Sequence, residues 1–241
     1  MSLKPRHQGL EDGRVSETDC LQKYLNIAKK HELKVTLFLT GKLVVEESGR
    51  LKEMIDPERV EVGGHTYAAF RPKIIYGTAS RILRLSNGPR FIQKRDIRLT
   101  MEIIEKILDT RVVSWRDHAY RHDRNTYELL GGNGIRFVSD EVSVLNADGH
   151  FLSDNIYVVP INTTPDHENL PHGGQEAKYS AATWVDQILK EVRHLSEQGA
   201  VAVILAHPAC MYVEDRFVSF KRLCEGLRKY PSCFMKEVSH A

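Results

Sequence analysis

The chain has 241 residues, 41% of them hydrophobic and 27% charged, with a formal net charge of +2 at pH 7. That length suits one α/β domain around a single core, so residues 1–241 read as one domain. The near-neutral balance excludes the basic footprint of a nucleic-acid binder, and no apolar run reaches the ~18 residues of a membrane span. The opening residues Met1-Ser2-Leu3-Lys4-Pro5-Arg6-His7 lack the apolar stretch of a secretory signal, so a cytoplasmic setting is expected. Cys20, Cys210, Cys224 and Cys233 are scattered and form no C-x-x-C pair, which fits thiols of a reducing compartment.

In chain order, Ser16 and Asp19 form a capping pair for a helix over Glu17–His31, where Leu21, Leu25 and Ala28 share a face. A strand follows at Lys34–Thr40, then another from Arg59 to Val62 that ends at Gly63-Gly64-His65-Thr66. Pro72, Gly77 and Asn87-Gly88-Pro89 punctuate a long excursion. The stretch Lys94–Leu108 sets Ile97, Met101, Ile104 and Leu108 on one side of a helix. Arg111–Trp115 reads as a strand, Asp123–Leu130 as a helix broken by Gly131-Gly132, and Ile135–Val138 and Ile156–Ile161 as further strands. Thr183–Leu195 is amphipathic, and Ala200–Leu205 is apolar enough for a strand buried on both faces. A helix near Asp215–Arg228 and a strand at Cys233–Val238 close the chain. The alternation predicts one mostly parallel sheet with strands at 34–40, 60–65, 111–116, 135–139, 156–162 and 200–206.

In parallel α/β folds the reactive side chains collect where strands run out into loops. Three such ends carry unusual residues: Gly63-Gly64-His65-Thr66, Trp115-Arg116-Asp117-His118 and Leu205-Ala206-His207-Pro208. One histidine at a strand end is often a satisfied structural residue. Three reactive ends on separate βα units point to a site.

These motifs resemble the polysaccharide deacetylases of the NodB-homology, carbohydrate esterase family 4 kind. Val35–Gly41 is similar to the family's first post-helix strand, and Val60–Tyr67 to its metal-binding histidine-threonine motif. Trp115–His118 followed by Asp123–Thr126 resembles the arginine-led active-site loop, and Val203–Pro208 the motif that supplies a catalytic histidine. The resemblance implies a distorted or partial (β/α) barrel and removal of acetyl groups from N-acetylated sugars. It implies a divalent metal, zinc first, held by Asp12 and His65, with Glu11 in place of the family's aspartate base. Arg116 then orients the base and His207 protonates the leaving amine. Tyr67, Trp115, His118 and Tyr120 are the candidate substrate-binding residues, and a carbohydrate or sugar nucleotide of surface-polysaccharide or lipopolysaccharide assembly is the implied substrate.

One departure stands out. The family's second metal-binding histidine falls four residues after the first, and that position here is Ala69. Catalytic zinc keeps three protein ligands. Either His118 or His167 substitutes, or binding is weak, or the metal is gone. In the last case the chain is a degenerate member that binds a glycan without catalysis.

Overall fold

The computed structural model describes residues 15–69, 87–123, 125–146, 148–153, 155–171 and 177–238. Helix α1 (Glu17–Lys30) begins at the expected cap: the Ser16 hydroxyl accepts from Asp19 N–H at 3.0 Å, and the Asp19 carboxylate accepts from Ser16 N–H at 2.7 Å. This reciprocal pair satisfies two N–H groups that a helix start otherwise leaves without partners. Leu21, Leu25 and Ala28 are buried, as their shared face requires.

Strand β1 (Val35–Leu39) runs parallel to β2 (Val60–Gly64), with Val35 opposite Val60 and Leu39 opposite Gly64. Short helices α2 (Gly41–Glu46) and α3 (Ser48–Met54) connect them. After α4 (Arg90–Leu108) come β3 (Ser114–Trp115), α5 (Thr126–Gly132), β4 (Phe137–Val138), β5 (His150–Ser153) and β6 (Ile156–Val158). The sheet order is β1-β2-β3-β4-β6-β5, parallel throughout except for the antiparallel edge pair of β5 with β6. Three more helices, α6 (Ala181–Glu197), α7 (Pro208–Asp215) and α8 (Val218–Leu227), follow the sheet. This is the mostly parallel α/β architecture that the alternation predicts.

Two apolar clusters hold the elements together. One joins the sheet to α1 through α5, around Leu39, Val62, Ile104, Trp115 and Leu130. The other joins α6, α7 and α8 around Trp184, Ile188, Phe217 and Phe220. Under the sheet, buried Glu61 ties three strands: its carboxylate accepts from Ser114 Oγ at 2.6 Å and from Thr36 Oγ1 at 2.8 Å.

Four local expectations are corrected. The segment 200–206 has no backbone ladder among the described residues. Its place beside the sheet is set by side chains: Asn162 Nδ2 donates to Val201 O at 2.9 Å, Val203 N–H donates to Asn162 Oδ1 at 2.7 Å, and Thr163 Oγ1 donates to Val203 O at 2.9 Å. An asparagine amide offers the donor and acceptor of a peptide unit, so it takes the ladder's role. Gly131 and Gly132 lie inside α5 and do not break it. The helix expected at 215–228 is two helices, because Arg216 and Phe217 both adopt left-handed backbone between α7 and α8. The terminal strand at 233–238 is instead a single 3₁₀ turn, Met235–Glu237. The edge strand β5, with every residue exposed, was not expected: its His-Phe-Leu-Ser run gives no clear alternation.

Candidate active site

Glycine at 63 and 64 puts His65 at the end of β2 by close approach and not by a turn. A Cβ on Gly63 would meet Phe38 Cδ1 at 2.7 Å, and one on Gly64 would overlap the Trp115 ring. Both residues lie within the strand, and His65 follows it directly. His65 Nδ1 is 2.6 Å from the Arg116 carbonyl, so Nδ1–H donates there and the lone pair sits on Nε2. His65 Nε2 lies 3.3 Å from His118 Nδ1. Burial, reinforced by the neighbouring His118, holds the His65 pKa well below 6.5, so the ring is neutral at physiological pH.

Arg116 is buried at the end of β3. Its Nε donates to Ser139 O at 2.9 Å and its Nη2 to Ser139 Oγ at 2.6 Å, while the guanidinium lies over the Phe38 ring at 4.6 Å. Next to it, Asp117 and Asp140 form a buried carboxyl pair joined by Asp117 N–H donating to Asp140 Oδ1 at 2.6 Å. Burial and the charge of Asp140 push the Asp117 carboxyl well above the usual range, and burial pushes Asp140 up to about 6. Burial and the neighbouring charge thus both favour the protonated form of Asp117.

His207 has a partner. The buried Asp166 carboxylate accepts from His207 Nδ1–H at 2.8 Å, from His207 backbone N–H at 2.5 Å and from His167 backbone N–H at 2.7 Å. The Asp166 loop is itself anchored: Thr164 N–H and Oγ1 both donate to Glu191, and Trp184 Nε1 donates to Thr164 O. Burial alone would raise the Asp166 pKa, but the charge of His207 and the bonds from His167 and His207 hold it far below the carboxylate range. His207 caps α7, with Pro208 at the first helical position, and its side chain is 43% exposed. The imidazole is therefore partly open to solvent, with Nδ1 engaged by Asp166. The ligating atoms of Asp166, His167 and His207 lie within 4.8 Å of one another.

These groups are linked. The Arg116 carbonyl holds His65, and the Arg116 guanidinium lies within the field of Asp166. His118 and Tyr120 share one turn; the Tyr120 ring lies 5.7 Å from that of His167, which lies 5.2 Å from that of His207. Tyr120 OH is buried and has no partner among the described residues. Tyr67 packs its ring against Gly41 at the start of α2, and its N–H donates to Asp96 Oδ2 at 3.0 Å. Trp115 corrects an expectation: it is fully enclosed between Gly64 and its own bond to Asp117, leaving no ring face for a sugar. Glu11 and Asp12 lie outside the described residues.

Sequence reasoning assigned no role to Asp166 or Asp140. The strand-end rule that found His65 also bears on both, because Asp140 lies two residues past β4 and Asp166 lies in the loop after β6.

The described residues thus gather an imidazole, a buried guanidinium and a carboxylate-oriented histidine around one mostly parallel α/β sheet. The polysaccharide deacetylase family model matches residues 9–138, more than half of the chain, and the chain belongs to that family. The fold is similar to a putative polysaccharide deacetylase from Mycobacterium smegmatis, at 14% identity and TM-score 0.70, covering 90% of this chain and 73% of that one. It is similar to Puue allantoinase at 13% identity and TM-score 0.67, covering 90% and 68%. It is also similar to a CE4 family pseudoenzyme from Bacillus anthracis, at 18% identity and TM-score 0.51, covering 88% of this chain and 58% of that longer one. Among curated proteins, none matches the chain.

Proposed function

We propose that this protein is a hydrolase that removes the acetyl group from an N-acetylated carbohydrate, releasing acetate and a free amine. The observation that carries the reading is the Asp166–His207 pair, an exposed imidazole oriented by an enclosed carboxylate. Asp166 holds the Nδ1–H tautomer and the orientation of His207, so Nε2 is the nitrogen that delivers a proton to the departing nitrogen. Arg116, fixed by Ser139, presents a permanent positive charge beside the site. Glu11 serves as base and Asp12 as a metal carboxylate by family resemblance. The family's metal, when bound, polarises the acyl carbonyl and acidifies a water. His65 fits that group: its Nδ1–H is engaged by a carbonyl, which leaves Nε2 as the ligand atom, as metal-bound histidines require. The substrate is a sugar nucleotide or glycan intermediate of surface-polysaccharide or lipopolysaccharide assembly, acted on in the cytoplasm. No described helix is long and apolar enough to cross a membrane.

Ala69 supports a second reading, a metal-poor member that binds a glycan without turnover. Acetate release from a panel of N-acetylated sugars and sugar nucleotides separates the two. Release that falls about 10²–10⁴-fold in His207→Ala fits general-acid catalysis. Glycan binding with no acetate from any substrate establishes the second reading.

A further inference from the structure

The end of β3 carries an imidazole that the family pattern does not call for. We infer that His118 replaces the ligand missing at Ala69, so that His65 and His118 form the imidazole pair of the metal centre. This rests on the deacetylase reading above and specifies its metal site.

The geometry of the pair carries the inference. His65 Nε2 lies 3.3 Å from His118 Nδ1, at the long end of hydrogen-bond distance. Two nitrogens bound to one tetrahedral zinc at about 2.0–2.1 Å are separated by about 3.3 Å, so the observed spacing also suits neighbouring ligands. The rings meet edge to face, with centroids 5.3 Å apart and planes at 71°, which brings two nitrogens together without stacking. The proton of His65 lies on Nδ1, against the Arg116 carbonyl, so Nε2 needs no change of tautomer to ligate.

The local chain accounts for the exchange of one ligand position for another. At 69 the methyl group offers no donor atom, and the Ala69 N–H is spent on Thr66 Oγ1 at 3.1 Å. At 118 the chain leaves β3 through Asp117, whose N–H is held by Asp140, and turns back through left-handed backbone at Ala119 and Tyr120. The adjacent strand's end thereby supplies a second imidazole beside His65. The cluster of Asp166, His167 and His207 competes less well. There Asp166 Oδ1 already accepts from His207 Nδ1–H at 2.8 Å and from His167 N–H at 2.7 Å, and Oδ2 accepts from His207 N–H, so both carboxylate oxygens are occupied in holding the loop.

The test is zinc affinity of the full chain, measured by competition with a chromophoric chelator, for the unmodified protein, His118→Ala and His167→Ala. One zinc per chain is expected, with affinity reduced at least about 100-fold in His118→Ala and unchanged in His167→Ala. Circular dichroism checks that each variant folds. Should His118→Ala fail to fold, cobalt-loaded His118→Cys reports directly: a thiolate-to-cobalt charge-transfer band places residue 118 on the metal, and its absence removes it. No zinc bound by the unmodified protein, or zinc lost with His167 and kept without His118, overturns the inference. Zinc that depends on His118, in a protein that releases no acetate, leaves the ligand assignment standing and removes the deacetylase reading.

Discussion

His207 Nδ1 stands 2.8 Å from Oδ1 of Asp166, a carboxylate with no exposed side-chain surface. Because Asp166 accepts from both ring and backbone of His207, it fixes the tautomer and the orientation together. Asp166→Asn keeps the shape but replaces a carboxylate that accepts from the ring and backbone of His207 with an amide that can also donate, so the tautomer is no longer fixed. We expect kcat for acetate release to fall about 10²–10⁴-fold with KM little changed. Steady-state kinetics of the variant check this, and unchanged turnover removes His207 from its catalytic role.

The loop carrying Asp166 depends on a residue of α6. Glu191 accepts from Thr164 N–H at 2.8 Å, from Thr164 Oγ1 at 2.6 Å and from Gln187 Nε2 at 2.8 Å, and it is buried. Glu191→Ala strands buried donors at about 1–3 kcal/mol each. Denaturant unfolding should show a loss of that size, and turnover should fall as the Asp166 loop loosens.

Ser139 determines where the Arg116 guanidinium points. Its hydroxyl takes a charge-assisted bond at 2.6 Å that Ser139→Ala deletes, while the 2.9 Å bond to the Ser139 carbonyl remains. Bonds to charged groups contribute about 1.5–3 kcal/mol, so a stability loss in that range is expected from urea titration. Retention of the second bond should make the activity loss smaller than that of Arg116→Ala.

Asp96 gives stability a pH dependence. Burial raises its carboxyl pKa to about 6, partly offset by the Tyr67 N–H it accepts. A raised folded pKa means that the folded state holds the proton more tightly. The stabilisation is fully present below the unfolded value of ~4 and is lost as pH rises through about 6. Asp96→Asn keeps an acceptor for Tyr67 and removes the ionisation. The variant should therefore melt higher than the parent at pH 8, with the difference shrinking toward pH 4; thermal melts across that range decide it.

What the sequence determined was local. The α1 capping box, the βα alternation and the strand-end positions of His65 and Arg116 all follow from patterns a few residues long, because caps, periodicity and turns are set by near neighbours. The tertiary structure alone decided which reactive groups meet. His207 finds Asp166 across 41 residues and His118 reaches His65 across 53, through strand register and loop paths that no local pattern encodes. Trp115 shows the same division. Its sequence position suits a sugar platform as well as a core, and only the approach of Gly64 on the adjacent strand encloses it. The segment 200–206 reads as a buried strand by composition, yet its backbone pairs with the side chains of Asn162 and Thr163. Which groups satisfy a buried peptide depends on what the rest of the fold brings beside it.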